Sequence, residues 1–173
     1  MNNIVDKLKF VDTMVTFSEI PDEITLCFNI SNCPIKCKDC HSKYLWDDVG
    51  TELDENTLNA IIQENDGITC VCFMGGDRFP EFIVTLAKHI RDNHSSLKIG
   101  WYSGQETINK VVLESISNFD YIKVGPYIEE FGPLNKQTTN QTMYKVLYDK
   151  EGEYKMLEDI TYKFWKNNDK KGY

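Results

Sequence analysis

Short apolar segments alternate with segments of helical periodicity along the middle of the chain, and this alternation constrains the fold more than any other feature. Residues 24–30 alternate strictly between two sets of side chains, with Ile24, Leu26, Phe28 and Ile30 on one face, which predicts a strand. By the same reading we predict further strands at residues 68–74, 97–102 and 121–124 and helices at 54–67, 80–93 and 107–116. Strands and helices that alternate in this way form β/α units around a parallel sheet.

The number of units limits the architecture further. About four or five β/α units are too few for a closed eight-stranded barrel. We therefore predict an open partial (β/α) barrel with a mostly parallel sheet. A last strand is predicted at residues 143–147 and a short helix at 156–165, whereas residues 1–20 show no clear pattern. The 173 residues are expected to form a single domain with its core at about residues 20–147.

Turn residues follow each predicted parallel strand. A cysteine-rich loop follows the first strand, Gly75-Gly76-Asp77 the second, Ser103-Gly104 the third and Gly125-Pro126 the fourth. In parallel α/β folds, functional sites lie at the carboxyl ends of the strands. We therefore expect these four turns to meet at one site.

Three thiols fall within eight residues in the first of these loops, at Cys33, Cys37 and Cys40. Thiolates are soft ligands that select zinc, copper(I) or an iron–sulfur cluster. The loop offers no fourth cysteine, so a four-iron cluster held here would keep one iron free of protein ligands, unlike ordinary Cys₄ ligation. The alternative is a zinc site with His41 as the fourth ligand, although its ring directly follows Cys40 and would have trouble reaching the same metal.

The other three cysteines are interpreted as core residues. Cys27 lies in the first predicted strand, and Cys70 and Cys72 share one face of the second. Two strand steps separate Cys70 and Cys72 by about 6.6–7 Å, which is a poor distance for a disulfide. A second metal site at this pair is the alternative.

Composition and charge exclude several classes of function. The net charge is -8 and basic residues do not cluster before the C-terminal tail, which argues against a nucleic-acid partner. No apolar run is long enough to span a bilayer, and residues 1–9 lack the apolar stretch of a signal peptide. Six cysteines without such a signal indicate a reducing, cytoplasmic location and metal chemistry rather than disulfides.

The motifs, taken in order, resemble a known superfamily. The pattern Cys33-x₃-Cys37-x₂-Cys40 followed by Gly75-Gly76-Asp77 resembles the radical S-adenosylmethionine (SAM) superfamily. The heptapeptide Cys-His-Ser-Lys-Tyr-Leu-Trp from Cys40 resembles glycyl-radical-enzyme activases. The segment Lys-Val-Gly-Pro-Tyr-Ile-Glu-Glu-Phe-Gly-Pro-Leu-Asn at 123–135 is similar to the family of anaerobic ribonucleoside-triphosphate reductase activating proteins. The resemblance covers about residues 20–146.

The resemblance implies a cofactor and a set of contacts. It implies a [4Fe–4S] cluster on Cys33, Cys37 and Cys40 that cleaves SAM reductively and so generates a glycyl radical on a partner enzyme. The SAM contacts that it implies are Gly75, Gly76 and Asp77 near the methionine amino group, the backbone around Asp39 and His41 facing the adenine, and Ser103 near the methionine or ribose. In such enzymes the cofactor carries the chemistry, while the protein orients it and excludes water.

The implied partners are the glycine-bearing loop of the anaerobic reductase and a low-potential electron donor such as flavodoxin or ferredoxin. The long loop at residues 127–141, with the apolar side chains of Tyr127, Phe131, Pro133 and Leu134, is a candidate docking element. Its alternative is that it packs on its own core.

The chain departs from the family pattern at three positions. They are Asp39, Ser42 and Val124, and the last puts in doubt any cation site built there. Two other functions stay open: a radical SAM enzyme that acts on a small molecule, and a non-enzymatic zinc or iron–sulfur binding module.

Overall fold

A computed structural model describes residues 6–165, and within that range the chain forms one eight-stranded sheet. The strands are β1 (Lys9–Thr16), β2 (Thr25–Ile30), β3 (Thr51–Glu52), β4 (Cys70–Met74), β5 (Lys98–Tyr102), β6 (Tyr121–Val124), β7 (Thr142–Tyr148) and β8 (Tyr154–Asp159). Their spatial order is β3-β1-β2-β4-β5-β6-β7-β8, so the sheet is open, as predicted, with β3 and β8 at its edges.

The prediction of a mostly parallel sheet is wrong. Only the three pairs among the central strands β2, β4, β5 and β6 are parallel, and the other four described pairs are antiparallel. A parallel connection needs a crossover, usually a helix, whereas strands joined without one run antiparallel. The helical crossovers lie only in the middle of the chain, so the β/α units supply the centre of the sheet and hairpin-like connections supply its flanks. The fold is a mixed α/β fold with a small helical content.

The helices follow the predicted central pattern. They are α1 (Glu55–Gln63), α2 (Pro80–Asn93) and α3 (Lys110–Glu114), with 3-10 turns at Lys43–Leu45, Ile116–Asn118 and Thr161–Phe164. Asp54 caps α1, because its carboxylate accepts a hydrogen bond of 2.8 Å from the Thr57 amide. Within residues 6–165, no helix is both long and apolar enough to cross a bilayer.

Three flanking strands, β1, β3 and β8, were not predicted. β1 lies in the segment without a clear pattern, and the predicted helix at 156–165 is instead β8 followed by a 3-10 turn. Five of the six β8 residues are exposed, so the strand lacks the alternation that identifies one buried face. Met156, Ile160 and Phe164 recur at intervals of four, which imitates a helical stripe.

The sheet has two different buried faces. On one face the helices pack against alternate strand residues, among them Phe28, Phe73 and Trp101, in the larger apolar core. On the other face lies a smaller cluster of Ile20, Cys27, Cys70, Cys72, Tyr121, Leu134, Met143 and Ile160. The three cysteines of this cluster are fully buried and unpaired, which confirms the prediction that they are core residues.

Candidate functional site

The carboxyl ends of the four central strands meet at one edge of the sheet. β2, β4, β5 and β6 are neighbours and run parallel, so the turns that follow them lie side by side. Those turns are the cysteine loop (residues 31–46), Gly75-Gly76-Asp77, Ser103-Gly104 and Gly125-Pro126. The predicted convergence of these four turns is confirmed.

The cysteine loop is anchored at both of its ends. The amides of Asn32 and Cys33 donate hydrogen bonds of 3.0 Å to the carbonyls of Asp47 and Leu45, so the loop closes on itself. Leu45 is buried beneath it. Two non-glycine residues in the loop, Asn32 and Lys36, have positive φ angles of 60° and 49°. Such conformations are uncommon and cluster where the surrounding structure enforces a functional shape.

The three loop thiols are free and half-buried. The Cys40 amide donates to the Cys37 carbonyl at 3.1 Å, and the Ser42 amide donates to the Cys40 sulfur at 3.3 Å. Within residues 6–165, no three His, Cys, Asp or Glu side chains converge closely enough to hold a single metal ion. A four-iron cluster does not require such convergence, because it presents separate irons to separate thiolates. The donor set therefore fits an iron–sulfur cluster.

The cysteine loop contacts the turns after β4 and β5. The guanidinium of Arg78 donates a hydrogen bond of 3.0 Å to the Asn32 side-chain oxygen. On the other side, a Cβ atom added to Gly104 would lie 2.8 Å from Cγ1 of Ile35, which sits between Cys33 and Cys37. Because real Cβ atoms do not approach so closely, only glycine allows this contact at residue 104.

Asp77 presents a buried carboxylate within the site. Its Oδ1 accepts a hydrogen bond of 2.5 Å from the Ser103 hydroxyl, and its Oδ2 accepts one of 3.1 Å from the Gly104 amide. Burial raises the pKa of Asp77, and the opposing effects are these two hydrogen bonds and the nearby charge of Lys123. The structure thus brings together two of the predicted site residues, Asp77 and Ser103.

The paired glycines that precede Asp77 both need unusual backbone angles. Gly75 and Gly76 have φ angles of +107° and +92°, which side chains rarely allow. The indole nitrogen of Trp101 donates a hydrogen bond of 2.8 Å to the Gly75 carbonyl, so the turn is held from the neighbouring strand. The glycines leave the backbone of this turn without side chains at the strand end.

The other two predicted contacts lie on the cysteine loop. Asp39 is half-buried and His41 is exposed. The ring of His41 packs edge-to-face on Tyr127, with 4.9 Å between the ring centroids. Within residues 6–165, neither side chain is hydrogen-bonded to Asp77 or Ser103. Local sequence patterns do not indicate the contact of His41 with Tyr127, because the two residues lie far apart in the chain.

Lys123 is a further residue at the site, and it was not predicted from the sequence. It is only 7% exposed, and its ammonium donates to the carbonyls of Gly125 at 2.7 Å and Ser103 at 3.5 Å. Burial lowers the pKa of Lys123 to about 8, although the charges of Asp77, Cys37 and Glu19 oppose that effect. An ionisable residue inside a predicted buried strand is rare, and that signal could have identified it.

Comparison with protein families agrees with the donor set. The family model described as "4Fe-4S single cluster domain" matches residues 24–160, which includes the cysteine loop and all four central strands. No curated protein and no solved structure shows a significant match to the chain. The matched region covers most of the 173 residues. The family and the three-thiol donor set both indicate a [4Fe–4S] cluster as the cofactor. The chain belongs to the family of 4Fe-4S single cluster domains.

Proposed function

We propose that the chain is a radical SAM activase, which generates a glycyl radical on anaerobic ribonucleoside-triphosphate reductase. The proposal goes beyond the iron–sulfur family in naming SAM, the radical chemistry and the partner. It rests on the resemblance of the motifs and on the way their residues meet at one edge of the sheet. The open sheet would then be the partial barrel of a radical SAM enzyme.

One observation carries the proposal. A loop with three thiols and no fourth packs through Ile35 on Gly104, and the Gly104 amide donates to the buried Asp77 carboxylate. Three thiolates would leave one iron without a protein ligand, which suits an exchangeable small molecule. A carboxylate held rigidly next to that position suits the ammonium of an amino acid. SAM carries such an ammonium and therefore matches both features.

The chain's residues have distinct roles in this proposal. Cys33, Cys37 and Cys40 hold the cluster through their thiolates. Asp77 binds the methionine ammonium, and Ser103 orients the Asp77 carboxylate through its hydrogen bond. The cluster and SAM, when bound, supply one-electron cleavage chemistry that ends in removal of a hydrogen atom from a glycine.

The remaining predicted SAM contacts are made by the backbone in this proposal. Gly75 and Gly76 lie near the methionine end, and their positive φ angles shape the backbone that faces it. The backbone around Asp39 and His41 faces the adenine.

The partner would dock beside the loop at residues 127–141. Leu134 is buried in the smaller core and so belongs to the fold, whereas Phe131 is 44% exposed. Tyr127 connects this loop to His41 of the cysteine loop. A partner that covers Phe131 would thus lie next to the site. The electron would come from a low-potential donor such as flavodoxin or ferredoxin in the cytoplasm.

The test uses the reductase that accompanies this protein. Anaerobic protein with a reconstituted cluster is mixed with SAM, a reductant and the reductase, and electron paramagnetic resonance (EPR) is recorded. We expect a stable glycyl radical on the reductase. Deuterium placed on the α-carbon of the partner's glycine should appear in 5′-deoxyadenosine.

Two results would redirect the assignment. If deuterium stays out of 5′-deoxyadenosine while a small molecule is turned over with SAM, the chain is a radical SAM enzyme with a small substrate. If protein with a full cluster neither binds nor cleaves SAM, the chain is a binding module. Protein with stoichiometric zinc and no sulfide would contradict the cluster itself.

A further inference from the structure

Lys123 places a buried positive charge beside the cysteine loop. Its side chain projects from β6 toward the face of the sheet that carries Tyr102, with the ammonium 5.8 Å from the centroid of that ring. The hydrogen bonds to the carbonyls of Gly125 and Ser103 hold the ammonium in place. The residue after Ser103, Gly104, contacts Ile35 between the first two loop cysteines. A short chain of contacts therefore connects the ammonium to the thiol loop.

The groups that face Lys123 are two carboxylates and the Cys37 thiol, which would be a thiolate when it holds a cluster. Asp77, Cys37 and Glu19 all stabilise the charged form of Lys123, and Asp77 has the largest effect of the three. Their attraction opposes burial, and a pKa of about 8 keeps the ammonium charged at pH 7. The described contacts include no ion pair of Lys123 with any carboxylate, so its charge is not cancelled by direct contact.

We propose that Lys123 is the fixed positive charge that tunes the reduction potential of the cluster bound at Cys37, making its one-electron reduction easier. The proposal rests on the proposed function in that Cys37 must be a cluster ligand. Reduction takes one electron from the low-potential donor and adds one negative charge at the cluster. A buried cation nearby stabilises that added charge, because charges interact strongly where water is excluded. Cluster potentials depend on net charge, hydrogen bonds and solvent exposure.

The experiment is a redox titration of the reconstituted cluster without SAM, monitored by EPR. Lys123→Met removes the charge at nearly constant size, and Lys123→Arg keeps the charge. We expect a more negative potential for Lys123→Met and a potential close to wild type for Lys123→Arg. Asp77→Asn removes the opposing charge and should shift the potential in the positive direction.

Lys98→Met is the matched control. Lys98 lies at the amino end of β5, whereas the site lies at the carboxyl ends of the central strands. The Lys98 ammonium is 3.4 Å from the Asp120 carboxylate. This variant changes the net charge by the same amount as Lys123→Met but far from the cysteine loop. We expect its potential to equal that of wild type. Equal shifts in Lys98→Met and Lys123→Met would overturn the proposal, because overall charge would then explain both.

Other outcomes also decide the question. A wild-type potential in Lys123→Met protein with a full cluster overturns the role of Lys123 and leaves the proposed function intact. Wild-type protein that assembles no cluster contradicts the proposed function instead. If Lys123→Met loads no cluster, Lys123→Gln replaces it, since its amide can still donate to the Gly125 carbonyl. Loss of cluster loading in both variants would give Lys123 a structural role and overturn the proposal.

Discussion

The Ser103 hydroxyl donates a hydrogen bond of 2.5 Å to Oδ1 of Asp77, which joins the ends of β5 and β4 at the centre of the site. The hydrogen bond fixes the orientation of a carboxylate that is only 7% exposed. The Ser103 oxygen also accepts a hydrogen bond of 3.0 Å from the Gln105 amide, so its own position is determined by the turn. A carboxylate held in this way would be preorganised for the cationic ligand proposed above.

Replacement of Asp77 tests that ligand. Asp77→Ala should weaken SAM binding by about 1.5–3 kcal/mol, the range for hydrogen bonds to charged groups, and leave the cluster in place. Calorimetric titration of cluster-loaded protein with SAM gives the affinity. Asp120→Asn is the control, since Asp120 is a buried carboxylate paired with Arg91 at 2.7 Å on the far edge of the sheet. Unchanged SAM affinity in Asp77→Ala would move the ammonium site elsewhere.

The six cysteines separate into two groups with different expected effects. Alanine at Cys33, Cys37 or Cys40 should abolish cluster assembly, because each removes one of three thiolates. Alanine at the buried cysteines of the smaller core, which are Cys27, Cys70 and Cys72, should leave assembly intact and lower only stability. Iron and sulfide content after anaerobic reconstitution measures the difference. Full clusters in a Cys37→Ala protein would be incompatible with the ligand assignment.

The contact of Gly104 with Ile35 gives a test of how the cysteine loop docks. Gly104→Ala should destabilise the protein by about 1–3 kcal/mol and reduce cluster loading, because the added methyl group overpacks the contact. Adding Ile35→Ala to the Gly104→Ala protein should restore much of the stability and of the cluster loading, since the space that Ile35 leaves accepts the methyl group. Denaturant unfolding and iron content are the two measurements. Additive losses in the double variant would show that the two residues do not contact each other.

Lys123 should make the stability of the cluster-free protein depend on pH. The pKa in the folded state is about 8 and the ordinary value is 10.5, so between these the unfolded state binds more protons. The free energy of unfolding should therefore rise with pH across this window, and Lys123 should contribute up to about 3 kcal/mol to that rise. Below pH 8 this gain is absent. Urea unfolding at pH 7 and pH 10 is compared between wild type and Lys123→Met. The gain with pH should be larger in wild type, and an equal gain in both would contradict the burial of a charged lysine.

Two apolar residues in the loop at residues 127–141 should have different effects when replaced, one on radical formation and one on stability. Phe131→Ala should slow radical formation on the reductase without changing SAM affinity, because Phe131 is an exposed apolar residue of the proposed docking loop. Leu134→Ala should lower the free energy of unfolding by about 2–5 kcal/mol, because it leaves a cavity in the smaller core. EPR quantification of the glycyl radical and denaturant titration distinguish the two. Radical yields that are normal in Phe131→Ala would place docking elsewhere.

The sequence by itself determined the central strands and the positions where they end. A strand with one buried face alternates apolar and polar residues, and a strand buried on both faces, such as β4, is a short continuous apolar run. β2 and β4 therefore had readable boundaries, and so did the turns that follow them. The spacing of Cys33, Cys37 and Cys40 needed no tertiary structure either, because one short loop carries all three thiols.

Only the tertiary structure decided the flanks of the sheet and the contacts within the site. β1 and β8 lie near or at the edges, where exposed residues on both faces erase the alternation. The partners of Asp77 come from another strand, and nothing local to Asp77 indicates them. The burial of Lys123 and the separation of Leu134 from Phe131 likewise depend on chain segments remote in sequence. Local patterns report whether a face is buried, whereas folding alone determines which residues face each other across the site.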